Sequence, residues 1–182
     1  MATQEHVRKQ FGEVEDNELR LEKDKAEQVI DALNQDLADT YVLYHQLKKH
    51  HWNVEGAEFR DLHLFLGDAA MNAEEAADLI AERAQALGGT PISGPAAQEE
   101  HAKVEYEGQD VYDIRTSLRH DLRMYGDIIE SLRDHIELAA NLGDHASAQM
   151  LREILVDVEE DAHHIEHYLE DDTLVFPEAM NE

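Results

Sequence analysis

Three side chains on one predicted helix have the types and the spacing that could bind a metal ion. Asp78 and Glu82 are four residues apart, so on a helix both carboxylates lie on one face, about 6 Å apart along the axis. His63 precedes Asp78 by fifteen residues, a spacing that returns to nearly the same face. Imidazole together with carboxylates suits ferrous iron or zinc, whereas calcium and magnesium favour all-oxygen ligands.

The rise of the helix keeps His63 away from the two carboxylates of its own chain. Fifteen residues rise about 22 Å, whereas a metal ion binds its ligands at about 2 Å. Either His63 is unrelated to Asp78 and Glu82, which then form an ordinary solvated pair, or its helix meets a second copy of itself. An antiparallel two-fold contact between these helices would create two mixed sites.

Apolar residues at spacings of three and four predict four long helices. The predicted helices cover residues 26–53, 59–87 and 111–142, followed by a fourth that starts at a cap formed by Asp144 or Ser147 and ends at residue 169. The break between residues 88 and 108 contains Pro91 and Pro95, and residues 95–102 are compatible with one short helix there. Only 3 prolines and 9 glycines occur, which favours long helices.

The lengths of the connections predict how these helices pack. Short links make neighbouring helices antiparallel, while the link of about 20 residues in the middle can carry the chain along the whole bundle. The sequence therefore predicts an all-α fold, a four-helix bundle over residues 26–170 with its second and third long helices parallel. Residues 1–25 are predicted to be a flexible or loosely docked charged arm, and residues 171–182 an acidic tail.

Composition narrows the classes of function. The net charge of −27 opposes binding to nucleic acid and to anionic membranes. It is explained either by carboxylates that attract cations such as iron or by adaptation to a salty cytoplasm. The absence of cysteine excludes disulfides, iron–sulfur clusters and thiolate zinc sites. No apolar run reaches the length of a membrane span and the N-terminus lacks an apolar signal region, so we expect a cytoplasmic protein.

Two segments resemble the signature of the Dps family of mini-ferritins: HHWNVEGAEFRDLH at residues 50–63 and DLIAERAQALGGTP at residues 78–91. The resemblance covers residues 26–169, and the acidic character and His-rich fourth helix are similar to those of the haloarchaeal members. It implies a ferritin-like bundle with a short extra helix in the middle connection. It also implies a homo-oligomeric cage of twelve subunits that oxidises Fe(II) with hydrogen peroxide or dioxygen, stores ferric oxide and so protects the cell from oxidative damage.

The resemblance also implies a ligand set at the two-fold contacts. His51 and His63 would come from one subunit, and Asp78 and Glu82 from its mate. The family usually has a further carboxylate four residues after the position of His63, where this chain has Gly67, so the second iron position lacks one expected ligand. Trp52 is expected either beside the site or in the core.

Further acids and histidines are candidates for handling iron away from that site. The candidates are His163, His164 and His167 for translocation, Asp144, Glu153 and Asp157 for entry pores near the start of the fourth helix, and Glu74 and Glu75 for nucleation in the cavity. Two other interpretations of the histidines in the fourth helix compete with a role in translocation. Glu160 and His163 have the spacing of a di-iron site at the bundle centre, although Arg60 stands where a second such motif needs Glu; otherwise these residues form an ordinary polar surface.

Two other classes of function compete with the iron-storing cage. Some Dps proteins compact DNA with a Lys-rich arm, but here residues 1–25 hold five basic and seven acidic residues, and residues 170–182 hold five acids and no Lys or Arg. Direct DNA binding is therefore not expected. The remaining alternative is an inert helical bundle whose surface binds protein partners.

Overall fold

The computed structural model describes residues 6–170, which form five helices. They are α1 Lys23–Asn53, α2 Phe59–Ala86, α3 Pro95–His101, α4 Ile114–Asn141 and α5 His145–Leu169. The expected four long helices and the short extra helix are confirmed, with boundaries that shift by one to three residues. Residues 171–182, predicted to be an acidic tail, lie outside the described range.

The differences in the boundaries have local causes. Helix α1 begins three residues before Ala26 because its first turn is made of charged residues that the apolar pattern does not show. Helix α4 begins after Asp113, whose carboxylate accepts from the backbone N–H of Thr116 and caps the first turn. Helix α2 ends at a glycine pair: Gly88 has φ +94°, and the N–H of Gly89 donates to the carbonyl of Ala84.

Contacts between side chains fix the directions of the helices. Pairs that join α1 to α4 are Asp36 with His135 and His50 with Asp121, so the two helices run antiparallel. Pairs that join α2 to α5 are Asn72 with Asp161 and Arg83 with Asp144, again antiparallel. Since α1 and α2 are joined by only five residues and also run antiparallel, α2 and α4 are parallel, as the connection lengths predict.

The core of the bundle is aliphatic, with one large aromatic residue. Leu33, Leu47, Leu66 and Ile80 have almost no exposed surface, and Tyr125 is buried to the same degree. Burying such side chains provides the main free energy of folding for a helical bundle. None of the helices between residues 6 and 170 has the length and the apolar character needed to span a bilayer.

The described part of the N-terminal arm contacts the end of α2. Lys9 Nζ donates to the carbonyl oxygens of Gly88 and Gly89, at 3.0 and 2.7 Å, and the N–H of Glu15 donates to Gly88 at 3.0 Å. A Cβ on Gly88 would lie 2.2 Å from the carbonyl oxygen of Glu15, so only glycine allows this approach. Flexibility of the arm stays a prediction, but residues 9–15 have a specific site of contact.

Candidate functional site

His51 and His63 form a pair at the corner between α1 and α2. Their rings stack with centroids 3.9 Å apart and planes 17° from parallel. His51 Nδ1 lies 2.6 Å from the carbonyl oxygen of His63, and His63 Nδ1 lies 2.8 Å from that of His51. A carbonyl can only accept, so both Nδ1 atoms carry protons. With Nδ1 as the donor, Nε2 is the ring nitrogen that remains for a metal in each histidine, an arrangement common among metal-binding histidines.

Two aromatic residues, Phe59 and Trp52, lie near the histidine pair in the sequence, and their surroundings differ. The ring of Phe59 lies against His63, with centroids 5.1 Å apart, which limits the movement of that imidazole. Trp52 is 69% exposed, so the expectation that it belongs to the core is wrong. Its ring lies 5.9 Å from Lys48 Nζ. Trp52 lies in the last turn of α1, where its side chain borders a surface groove with Tyr41 and Gln98.

Gly67 is explained by the position of His51. A Cβ on Gly67 would lie 3.0 Å from Cε1 and 3.1 Å from Nδ1 of the His51 ring. Such contacts are closer than ordinary van der Waals packing, so a side chain at this position would push the His51 ring by a few tenths of an ångström. A carboxylate at position 67 would require His51 to move. The missing carboxylate and the close packing of His51 are thus parts of one local arrangement.

Asp78 and Glu82 lie on α2, exposed and without partners in the chain. Neither carboxylate takes part in a side-chain hydrogen bond or an ion pair between residues 6 and 170. Helix α2 is continuous from residue 59 to 86, so the rise of about 22 Å between His63 and Asp78 applies here. Within the described range no three His, Asp or Glu side chains converge to hold a metal ion. Within one chain the two candidate pairs, His51 with His63 and Asp78 with Glu82, are therefore separate.

An exposed apolar stripe lies beside Asp78 and Glu82 on α2. Leu64, Met71 and Leu79 are 54%, 58% and 50% exposed, although each is large enough to favour burial. Leu64, Met71, Asp78 and Glu82 lie on nearly the same side of the helix. An exposed apolar stripe bordered by polar groups is typical of a surface that another protein covers.

The acids expected to line an entry pore have different surroundings. Asp144 is buried, and its carboxylate caps α5 through the N–H of Ser147 and accepts from Arg83 at 2.6 Å. These bonds give Asp144 a structural role within its own chain. Glu153 is exposed and accepts from Gln149, and Asp157 is exposed on α5. Glu74 and Glu75 are exposed on α2.

The histidines of α5 lie on its exposed face. Nε2 of His163 and Nε2 of His167 are 3.0 Å apart, while His164 packs edge-on against Phe65, with centroids 5.8 Å apart. The bundle centre beneath them holds Tyr125 and Asp161, with no histidine. The alternative of a di-iron site formed there by Glu160 and His163 is therefore wrong, because both side chains point to solvent.

A buried ionic network beside the site was not predicted. His50 Nδ1 lies 2.7 Å from Asp121 and His50 Nε2 lies 2.6 Å from Glu107. Glu107 also accepts from Lys49, at 2.6 Å, and contacts His120. Burial lowers the pKa of His50, but its two carboxylate partners outweigh burial and raise the pKa above the ordinary value.

This network fixes the C-terminal end of α1, which carries His51. The apolar pattern gave no signal for it, because Lys49 and His50 look like ordinary polar residues of an amphipathic helix. Only the packing of the connection between α3 and α4 against α1 brings Glu107 to them. One signal in the sequence could have indicated the network. His50 and His51 are adjacent and therefore point in different directions from α1, so they cannot both belong to the same site.

Comparisons with known proteins agree with this architecture. The Ferritin-like domain family matches residues 30–175. The "DNA protection during starvation protein" of Halobacterium salinarum is 65% identical over 181 residues, which cover 99% of this chain and all of that protein. The "Nutrient stress-induced DNA-binding protein" of a Synechococcus strain is 38% identical over 164 residues, which cover 90% of this chain and 93% of that protein.

A solved structure has the same arrangement of helices. The crystal structure of an archaeal Dps homologue from Halobacterium salinarum matches with a TM-score of 0.93 and 66% sequence identity. The match covers 97% of this chain and 98% of that chain. The described helices therefore follow a known fold over nearly their whole length.

Proposed function

The chain belongs to the Dps family of ferritin-like proteins, and on that basis we propose that it is the subunit of a hollow cage that oxidises and stores iron. Ferrous iron would be the substrate, hydrogen peroxide or dioxygen the oxidant, and the ferric product the cargo. The observation that carries the proposal is a pair of candidate half-sites, one at the corner between α1 and α2 and the other on α2. His51 and His63 present two free Nε2 atoms, and Asp78 and Glu82 present two unpartnered carboxylates too far away to join them.

A two-fold contact between copies of α2 would join these half-sites. We take the antiparallel register in which His63 lies level with the midpoint between Asp78 and Glu82 of the mate. The same register places Leu64 level with Leu79 of the mate, and Met71 close to its own counterpart. The three exposed apolar residues would thereby be buried at the contact, which provides a reason for the dimer besides the metal.

The chemistry assigned to these residues is binding and charge stabilisation. Two imidazoles and two carboxylates suit Fe(II), and the carboxylates favour the additional positive charge of Fe(III). Two Fe(II) ions each lose one electron, and hydrogen peroxide gains both together with two protons to give two water molecules. The carbonyl oxygens that bind Nδ1 of His51 and His63 keep the rings oriented while iron exchanges. With Gly67 in place of a carboxylate, we expect one firmly bound iron position and a second completed by water.

Mixing two inactive variants tests whether the site is shared between subunits. His63→Ala removes the imidazole half, and Glu82→Ala removes the carboxylate half. Each variant alone is expected to lose rapid oxidation of Fe(II). In a mixed dimer one site combines both defects and the other is intact. Co-expression in equal amounts should therefore restore about a quarter of the wild-type initial rate, since half of the dimers are mixed and each has one intact site.

The outcomes of the mixing experiment are distinct. Recovery to about a quarter supports a site made of residues from two subunits. No recovery, with mixed oligomers verified by mass spectrometry, overturns the shared site. Size-exclusion chromatography after addition of ferrous iron and peroxide tests the storage role. If the protein stores iron, most of the iron should elute together with a symmetric particle of about twelve subunits. Elution of a monomer or dimer without iron contradicts the cage.

We also propose roles for the acids and histidines on the α2 and α5 surfaces. Asp157, Glu153 and the α5 histidines His163, His164 and His167 are proposed to pass iron inward, and Glu74 and Glu75 to nucleate the ferric mineral. Their exposure supports this role, because hydrated cations need accessible oxygen and nitrogen ligands. Asp144 is less suited to binding iron because Arg83 and Ser147 already engage its carboxylate. We place the protein in the cytoplasm and assign it protection against oxidative damage.

Compaction of DNA is the competing function, because the names of two relatives refer to DNA. The net charge of −27 opposes it, since affinity for phosphates depends on Lys and Arg that displace counterions. We expect no retardation of duplex DNA at low salt in a gel-shift experiment. A stable complex under those conditions would reverse this conclusion.

A further inference from the structure

A cavity lies at the centre of the bundle, between α1, α2, α4 and α5. Its volume is about 90 Å³, which exceeds the space of about 30 Å³ that one water molecule takes up. Most of its walls are aliphatic. The aliphatic lining residues are Leu43, Ala69, Ala73, Ala76, Leu79, Ile128, Leu132, Ile154 and Val158.

The cavity exists because α2 presents small side chains where the other helices present large ones. Ala69, Ala73 and Ala76 lie on the buried face of α2 at spacings of four and three. They stand opposite Ile128 and Leu132 of α4 and Ile154 of α5. Protein interiors normally fill such space to crystal-like density, so the three alanines leave a gap that the larger residues do not close.

Three of the polar groups that line the cavity are bonded to each other. Tyr125 OH donates to Asp161 Oδ2 at 3.3 Å, and Asn72 Nδ2 donates to the same oxygen at 3.4 Å. Burial raises the pKa of Tyr125 well above its ordinary value, with Asp161 adding to the rise, so the phenol stays a neutral donor. Water in the aliphatic part would find few of the two to four polar partners that it needs.

The exposed end of the cavity lies between α2 and α5. Glu75, Leu79 and Asp157 are exposed, and all three also line the cavity. A small molecule therefore has a short path from the α2–α5 surface to the aliphatic interior. Anionic solutes are disfavoured on this path, because the carboxylates of Glu75 and Asp157 flank it and Asp161 lines the cavity.

We propose that this cavity binds a small apolar molecule of the size and polarity of dioxygen. The volume fits such a molecule, most of the walls are aliphatic, and Tyr125, Asn72 and Asp161 bond to one another. An apolar engineered cavity of about 150 Å³ stays dry and binds xenon or benzene, and the smaller volume here restricts the ligand to smaller molecules. The inference does not depend on the proposed iron chemistry.

Xenon is the first probe, because its binding is visible directly. Crystals of the full-length protein pressurised with xenon should show one xenon atom per subunit, among Leu43, Ala73 and Ile128. Ala76→Leu should abolish that peak by filling the cavity, whereas Ala86→Leu, which adds the same atoms at an exposed position of α2, should leave it. If Ala76→Leu does not fold, Ala73→Val provides a smaller filling. A chain of ordered water through the cavity, or xenon retained in the filled variant, would overturn the proposal.

Dioxygen itself is the second probe, through its paramagnetism. Methyl NMR of the wild-type protein under oxygen pressure should show faster relaxation for Leu43 and Ala73 than for Leu33 and Ala26. All four are buried, but the last two do not line the cavity. The excess relaxation should be lost in Ala76→Leu and retained in Ala86→Leu. Equal relaxation of the two groups of methyls in the wild type would show that dioxygen does not bind there.

Discussion

The ring of His51 lies directly against the backbone of Gly67, so the space for a side chain at position 67 is already filled by an imidazole. A Cβ there would approach Cε1 of His51 to 3.0 Å. The geometry of the half-site and the identity of residue 67 are therefore coupled. This coupling connects a substitution in a known motif to the position of a proposed iron ligand.

Gly67→Ala is expected to slow iron oxidation without lowering the stability of the protein. The new methyl group should displace the His51 ring and slow the initial oxidation of Fe(II). Helix propensity alone favours Ala over Gly by about 1 kcal/mol, so the unfolding midpoint should change little or rise. Stopped-flow absorbance and urea unfolding measure the two effects. A variant with the wild-type oxidation rate would show that His51 tolerates the displacement or does not bind iron.

Met71→Asp is expected to prevent assembly. Met71 is 58% exposed, and the proposed two-fold register places it next to its counterpart, so two new charges would meet in a desolvated contact. Light scattering after size-exclusion chromatography should show small species in place of the cage. Met71→Leu is the matched control and should assemble normally. A cage that forms equally well when every subunit carries the Met71→Asp substitution would exclude this register.

Asp144→Ala is expected to lower the free energy of unfolding. The variant loses the N-cap of α5, which costs about 1 kcal/mol, and leaves the partly buried guanidinium of Arg83 without its carboxylate. Asp144→Asn keeps the cap and should lose less. Urea unfolding at one fixed protein concentration measures the difference, since assembly also contributes to stability. If both variants keep wild-type stability but take up iron slowly, Asp144 serves iron entry and the structural role is minor.

The pair of His135 and Asp36 predicts how stability depends on pH. Burial lowers the pKa of His135, but the Asp36 carboxylate at 2.8 Å outweighs it and raises the pKa above 6.5. A raised pKa in the folded state stabilises the protein below pH 6.5, and this stabilisation is lost as the pH rises through the folded-state pKa. Burial also raises the pKa of Asp36, which again disfavours the folded state as the pH rises.

We therefore expect the thermal midpoint of the wild type to fall between about pH 6 and pH 8 because the imidazolium loses its proton. In His135→Gln the side-chain amide can still donate to Asp36 but does not titrate, so the fall should be smaller. Differential scanning calorimetry at several pH values provides the comparison. Parallel curves for the two proteins would assign the pH dependence to other groups.

Regular helix packing was predictable because it depends on local pattern. The spacing of Leu33, Leu37 and Leu47 identified the buried face of α1, and the lengths of the connections determined that α2 and α4 are parallel. The buried carboxylates of Asp36 and Asp39 were not predictable. Their partners, His135 on α4 and the N–H groups of Lys103 and Val104, are distant in sequence and are brought together only by packing.

The sequence by itself determined the helices, their order and the residue types of a candidate metal site, since hydrophobic periodicity and side-chain chemistry are local properties. The tertiary structure decided which atoms are available. It left Nε2 of His51 and His63 as the nitrogen available to a ligand by bonding Nδ1 to the opposite carbonyls. It also packed the His51 ring against Gly67 and engaged Asp144 in a cap. It also opened a cavity under α2. Contacts between segments distant in the chain depend on how whole helix faces fit together, and that fit is not written in any single stretch of sequence.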